Sequence, residues 1–313
     1  MKEFELIDFI KESSRLLPNN NFEGIGDDCA QIQINENKVM LFSTDILTED
    51  IHFRRSYPAV SVGKKSAAVN VSDIAAMGAK ARAALLSISL PSDIDEKWEK
   101  DFILGFTLAL KQYDVQLIGG DTTSSASKIT ISVTIIGEGN PKCIKRRCDA
   151  IQGDDICVTG VLGLSVAGLK ELSSCAPENR YAINHLEPRA HDKEGIFLGV
   201  REEVHAMMDL SDGIASDLKH ILNASKVSAE IYTEDIPKET TLEDALCGGE
   251  DYVLLLTSAH EKTEKLQEDF KSVFNRELYK VGRITEGRTG VIRWMSQGKE
   301  LKTDFHGYEH LTE

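Results

Sequence analysis

The stretch NVSDIAAMGA, Asn70 to Ala79, sets a single acid, Asp73, in the middle of a run of small residues. It closes the longer segment PAVSVGKKSAAVNVSDIAAMGA (58–79), whose Ala, Val and Ser positions suit a closely packed helix. An ionised carboxylate among alanines costs several kcal/mol unless a cation or hydrogen bonds compensate it. Asp73 is therefore the acid that resists the ordinary explanations, a cap or a turn. Its reading decides whether the chain merely has an acidic surface or is organised around a charged centre.

Other acids recur in comparable settings. GIGDDCA (24–30) sets Asp27 and Asp28 after glycines that let the backbone turn sharply. Asp45 ends the apolar strand KVMLFSTDI, and Asp121 ends LIGGDTT in what reads as a glycine turn. Asp209 and Asp212 stand in DLSDG (209–213) at a strand-to-helix junction, where Asp212 or Ser211 can also serve as an N-cap. Asp28, Asp45, Asp73 and Asp121 are expected to be drawn together by a common sheet. Hydroxyls lie beside them at Ser43, Thr44, Thr122 and Thr123. Oxygen donors without paired thiolates or imidazoles suit Mg²⁺, which keeps waters or phosphate oxygens in its shell. The glycine pairs 119–120 and 248–249 add backbone N–H groups of the kind that approach phosphate.

Two apparent nucleotide motifs fail. SVGKKS (61–66) lacks the upstream glycine and residue order of a Walker A loop, and GVLGLSVAG (160–168) fails the G-x-G-x-x-G spacing. The concentrated basic stretch holds Lys145, Arg146 and Arg147, from which one side chain could reach a phosphate; a solvated linker explains it equally well. His52 reads by default as a surface or core-edge histidine. No Ser–His–Asp or Cys–His pattern supports covalent catalysis.

Composition narrows the class. The 313 residues are 41% hydrophobic and 28% charged, enough for about two globular domains. The net charge of −15 argues against nucleic-acid binding and against a polybasic membrane surface. No apolar run reaches the roughly 20 residues of a membrane span. The six cysteines (29, 143, 148, 157, 175, 247) form no CxxC pair, and MKEFELIDFIKESSRLL reads as an amphipathic helix rather than a secretory leader. A cytoplasmic protein with reduced thiols is expected. Strands and helices mix in both halves, so the fold class is α/β (α+β): domains at 1–140 and 141–313 with a cleft between them.

Taken in order, GIGDDCA, STDIL…IHF, NVSDIAAMGA, LIGGDTT, DLSDGIASDL, GGEDY and the terminal GYEH resemble the thiamine-monophosphate kinase family. That family belongs to the aminoimidazole ribonucleotide synthetase-like ATP-binding superfamily. The resemblance spans about residues 24–310 and implies a two-domain fold whose N-terminal sheet pairs with its twin in a homodimer. It implies phosphoryl transfer from ATP to thiamine phosphate. It places Mg²⁺ on Asp28, Asp45, Asp73, Asp121, Asp209 and Asp212, with Ser43 and Thr44 beside them. It assigns nucleotide contacts to Gly120, Arg147 and Ser211, and substrate contacts to His52, Glu250 and Tyr308. The chain departs from the pattern at Asp50 and Ile51 before His52, at Cys148 and Asp149 after Arg147, and at Val253 after GGEDY. Another ATP-dependent enzyme of the superfamily, or a non-catalytic acidic metal-binding protein, remains open at this level.

Overall fold

The computed structural model describes residues 3–14, 21–173, 180–303 and 305–308; Cys175, Glu309 and His310 lie outside them. The first sheet is built from β1 (Phe22–Glu23), β2 (Ala30–Asn35), β3 (Lys38–Thr48), β4 (Lys80–Pro91), β5 (Gln116–Ser125) and β6 (Thr130–Gly139), in the spatial order β1-β2-β3-β6-β4-β5. Only the β4–β5 pair is parallel. After α1 (Glu3–Ser13), α2 (Ala59–Ala76) and α3 (Glu96–Gln112) cover one face of this sheet. Strand alternation then sorts β3: Val39, Leu41 and Leu47 are buried beneath the helices, while Thr44 and Ile46 are exposed on the other face.

The small residues of 58–79 form α2 as expected, and they serve close packing. A Cβ on Gly63 would lie 2.2 Å from the Phe102 carbonyl of α3, and one on Gly105 would lie 1.9 Å from that of Val60. The glycine of SVGKKS thus belongs to a helix crossing, which explains why no phosphate loop forms there. At the start of α3, Asp95 accepts from the Trp98 amide at 2.7 Å, and Glu96 and Glu99 favour the positive end of the helix dipole.

The glycine turn expected at LIGGDTT is absent. β5 continues through Gly119 and Gly120, with a register shift just before Gly119, and pairs with β4 on one side only. Gly120, at φ +151°, is required because any Cβ would strike the Leu86 carbonyl at 1.7 Å.

The second sheet holds β7 (Asp155–Val158), β8 (Val204–Asp209), β9 (Ser228–Tyr232), β10 (Leu254–Ser258), β11 (Tyr279–Thr285), β12 (Ile292–Ser296) and β13 (Lys299–Glu300), in the order β13-β12-β9-β11-β7-β10-β8. Its helices are α4 (Leu164–Ser173), α5 (Ala182–Leu186), α6 (Asp192–Gly199), α7 (Ile214–Ser225), α8 (Leu242–Cys247) and α9 (His260–Phe274). The short α5, α8 and β13 lack a readable periodicity. α2 joins the two halves: Ser72 reaches β8, and α6 packs so close that a Cβ on Gly195 would meet the Ala75 carbonyl at 2.3 Å. None of the described helices is long and apolar enough to cross a membrane.

Candidate active site

Asp28, Asp73 and Asp209 come from a loop, a helix and a strand of the second sheet, yet one oxygen of each lies within 4.8 Å of the others. The convergence follows from α2. Its consecutive residues Ser72 and Asp73 serve the two sheets: Ser43 Oγ of β3 donates to Asp73 Oδ2 at 2.5 Å, and Ser72 Oγ donates to Asp209 Oδ2 of β8 at 2.5 Å. Asp45 follows Ser43 on the same face of β3, and its amide donates to the Asn70 side chain at 3.2 Å. Arg147 Nη2 donates to Asp28 Oδ1 at 2.6 Å. Among the described residues no lysine or arginine pairs with Asp45, Asp73 or Asp209.

The acids pay electrostatically for this proximity. Burial first, and Asp28 second, raise Asp45 to about 6 and Asp209 to about 7. Burial, then Asp45, Asp209 and Asp28, push Asp73 well above the carboxylate range. Cys29 beneath them is held as a neutral thiol by burial, then by Asp73 and Asp28. A donor set of carboxylate and hydroxyl oxygens, with the adjacent thiol protonated, fits a hard divalent cation.

Asp45, Asp73 and Asp209, with Asp28 beside the last two, border a cleft of about 560 Å³ that also holds His52, Ser211, Asp212, Glu250 and Tyr308. Glu250 sits at φ +64° in a loop whose amide donates to the Ser211 carbonyl at 2.7 Å. Its carboxylate pairs with the buried Lys65 of α2 at 2.7 Å and with His185 at 3.2 Å. Lys65 also donates to the His52 carbonyl at 3.0 Å, so one ammonium fixes two segments of the wall. Burial raises the Glu250 pKa, but Lys65 and then His185 outweigh it and bring the carboxyl to about 2. His52 Nδ1 accepts from the Thr48 amide at 3.0 Å, which places the ring proton of the neutral form on Nε2. Tyr308 is held over the cleft by its own amide, which donates to the Asp212 carbonyl at 2.9 Å.

The expected residues divide accordingly. The structure brings Asp28, Ser43, Asp45, Asp73, Arg147, Asp209, Ser211, Asp212, His52, Glu250 and Tyr308 to one region. Arg146 instead pairs with Glu23 at 3.1 Å, and Lys145 donates to the Arg201 and Val204 carbonyls, so only Arg147 of the basic stretch reaches the acids. The Thr44 hydroxyl is not with them: it donates to the Val133 carbonyl at 3.0 Å on the opposite face of β3. Gly120 and Asp121 also stand apart. β5 lies three strands from β3, about 14 Å away at the usual strand spacing. The N-cap reading of Ser211 and Asp212 does not hold either, since the N-cap of α7 is Gly213, without a side-chain cap, and the Asp212 amide donates to Asp217.

Lys65, Ser72, His185 and Tyr252 escaped the sequence reading. Lys65 carried a usable signal: it stands four and eight residues before Val69 and Asp73, so helical spacing puts all three on one stripe. A charge among buried small residues needs a partner there as much as Asp73 does.

The chain is similar to known proteins along nearly its whole length. Residues 26–138 match the AIR synthase related protein N-terminal domain, and residues 152–295 match the corresponding C-terminal domain. The thiamine-monophosphate kinase of Buchnera aphidicola subsp. Schizaphis graminum is 37% identical over 331 aligned positions, covering 99% of this chain and 98% of its own. That of Bacillus subtilis is 33% identical, covering 99% and 100%. The solved structure of AaThiL complexed with AMPPCP and TMP superposes with a TM-score of 0.85 at 32% identity, over 99% of this chain and 97% of that one. The chain belongs to the thiamine-monophosphate kinase family of AIR synthase related proteins.

Proposed function

We propose that the chain transfers the γ-phosphoryl group of ATP to thiamine phosphate, giving ADP and thiamine diphosphate, with Mg²⁺ as cofactor. The observation that carries this reading is the convergence of Asp28, Asp73 and Asp209 at the end of the cleft, without enough cationic partners to neutralise them. The attacking phosphate oxygen is already anionic near neutral pH, so no strong general base is needed. The new bond joins that oxygen to the γ-phosphorus as the bond to the β-phosphate oxygen breaks.

Asp28, Asp45, Asp73 and Asp209 would hold Mg²⁺, with Asp212 at the rim. When bound, Mg²⁺ supplies the charge neutralisation and alignment that two repelling phosphoanions require. Ser43 and Ser72 orient the Asp73 and Asp209 carboxylates through their hydrogen bonds. Arg147 and Ser211 are assigned to the nucleotide. His52, Glu250 and Tyr308 are assigned to thiamine phosphate, Tyr308 offering an aromatic face to the thiazolium charge.

We place the division of labour near residues 140–150, between the sheets. We further assign the chain to a homodimer formed through β5 and the uncovered face of the first sheet. Supporting this, β5 leaves one edge unpaired along its 10 residues and exposes Leu117 and Ile118 on it, and an open strand edge can pair with another strand. In such a dimer Gly120 and Asp121 would complete the cleft of the second copy rather than their own.

ADP release measured with and without thiamine phosphate, with Mg²⁺ omitted as control, tests the assignment. Mg²⁺-dependent release stimulated by thiamine phosphate is expected. ATP turnover indifferent to thiamine phosphate would mean another acceptor, and no turnover would mean a non-catalytic metal-binding protein.

A further inference from the structure

A second cleft, of about 570 Å³, opens behind the wall of the first. The two share the segment 250–253: Glu250 and Tyr252 face the acid-lined cleft, whereas Asp251 and Val253 face this one. Its chemistry is the reverse. Arg189 and Arg276 both line it, and both turn to one carboxylate, the fully buried Glu194. Arg189 Nη2 donates to Glu194 Oε1 at 2.8 Å. Arg276 approaches the same oxygen as a close charge contact without a directed hydrogen bond, and Glu194 Oε2 has no partner. Two guanidiniums therefore share one carboxylate oxygen, leaving a positive charge in the triad and most of their N–H groups uncommitted. In keeping with that surplus, burial first and the Arg189 charge second depress the Arg276 pKa.

The other carboxylates on the cleft wall do not pair with these guanidiniums: two are matched by lysines, and Asp251 is held by backbone amides. Asp251 accepts from the Gly163 and Ser165 amides at 2.6 and 3.0 Å, Glu187 pairs with Lys64 at 2.7 Å, and Glu277 pairs with Lys271. A further donor comes from His191. Thr159 Oγ1 accepts from the Leu254 amide at 2.9 Å and shares a hydrogen bond with His191 Nδ1 at 2.7 Å; the tautomer in which the hydroxyl donates there is the one the site would use. In that tautomer the ring proton is on Nε2, and burial followed by Arg276 and Arg189 keeps the ring uncharged. Val161, Leu164, Val253 and Tyr279 give the same cleft an apolar side, in a volume well beyond that of a bare oxyanion.

We propose that this cleft is a metal-independent binding site for a small organic phosphate monoester, its dianion met by donors of Arg189, Arg276 and His191 and its organic body by the apolar side. Planar guanidinium forks suit phosphate oxygens in pairs, and the buried Glu194 holds both forks in place. The acid-lined cleft differs in kind, since its carboxylates repel phosphate unless a cation is bound.

That difference provides the test. Phenyl phosphate and inorganic phosphate are titrated into the full-length protein in EDTA, followed by calorimetry and by ³¹P line broadening. With metal removed, the acid-lined cleft repels phosphate, and the arginine variants assign the binding that remains to this cleft. Phenyl phosphate is expected to bind with Kd of roughly 1 mM or tighter, and more tightly than inorganic phosphate. Arg189→Gln and Arg276→Gln should each weaken it about tenfold or more, while Mg²⁺-dependent ADP release at saturating substrates stays within twofold. Arg189 is the more exposed of the two, its side chain 46% accessible against 35% for Arg276, so its variant remains informative if Arg276→Gln fails to fold. Absence of metal-free binding, or binding that neither substitution weakens, would overturn the proposal whatever the outcome of the kinase assay.

Discussion

Asp73 and Glu250 stand at two ends of the same cleft, both largely removed from water, and their pKa values move in opposite directions. Glu250 has Lys65 and His185 against its oxygens and is driven down to about 2. Asp73 has a serine hydroxyl and three carboxylates around it and is driven well above the ordinary range. Burial acts alike on both; what differs is whether the fold supplies a cation. At the Glu250 end it does, from the α2 stripe that also carries Asp73, two turns away. At the Asp73 end the compensation must come from outside the chain, and so this end is the one read as binding metal.

The strongest way to break this contrast is to remove the Asp73 charge. Asp73→Asn should lower Mg²⁺-dependent ADP release at least about 10²-fold, while the metal-free protein unfolds at nearly the wild-type temperature. The amide removes a charge that burial and the neighbouring carboxylates already disfavour, and it can still accept from Ser43. Near-normal turnover in the folded variant would remove Asp73 from the metal site. Lys65→Met attacks the other end with the opposite signature. It strands the Glu250 carboxylate, and a loss of about 2 kcal/mol in unfolding free energy is expected. That is less than the roughly 3–5 kcal/mol of a fully buried broken pair, because the Glu250 side chain retains 23% exposure. A Lys65→Met protein as stable as wild type would show that His185 alone compensates Glu250.

The two ends should also part company with pH. Asp209 and Asp45 titrate at about 7 and about 6 when no metal is bound, so the folded chain holds protons that the unfolded chain has already released. The metal-free stability they contribute therefore falls as pH rises through this window, and protons compete with Mg²⁺ below it. Glu250 works the other way, contributing stability at neutral pH that is lost only as pH falls toward 2. The rise in Tm on adding Mg²⁺ is thus expected to be several degrees larger at pH 8 than at pH 6. An equal rise at both values would contradict titration of the acid cluster by metal.

Much of this centre was legible because burying a charge is costly wherever it occurs. Small residues around Asp73 announce both a tight helix and an acid in need of company, and the apolar run leading to Asp45 points a second acid the same way, although β3 continues past it to Thr48. What escaped depends on contacts that a linear pattern does not encode. The helical stripe made Lys65 readable, yet its partners Glu250 and the His52 carbonyl come from distant segments. Thr44 sits beside two true neighbours of the cluster, but strand alternation turns its side chain to the other face. Gly119 and Gly120 look like a turn, whereas the spatial requirement is room for the Leu86 carbonyl within a continuing strand. Asp121 is separated from Asp45 by the sheet order, which only the fold reveals.

The smallest expected effect concerns Tyr308, which belongs to the Glu250 end by position but contributes no charge. Its amide is tied to the Asp212 carbonyl, and Gly307 before it must be glycine, since a Cβ would meet that same carbonyl at 2.2 Å. The backbone therefore sets where the ring lies, and the ring itself remains 51% exposed. Replacing it by alanine should leave this path intact and remove only an aromatic face, worth about 0.5–1 kcal/mol to a cation at an exposed site. The KM for thiamine phosphate should accordingly rise about two- to fivefold, with the KM for ATP and kcat nearly unchanged. If the ATP constant rises instead, Tyr308 serves the nucleotide end, and the cleft divides between its substrates in the reverse sense.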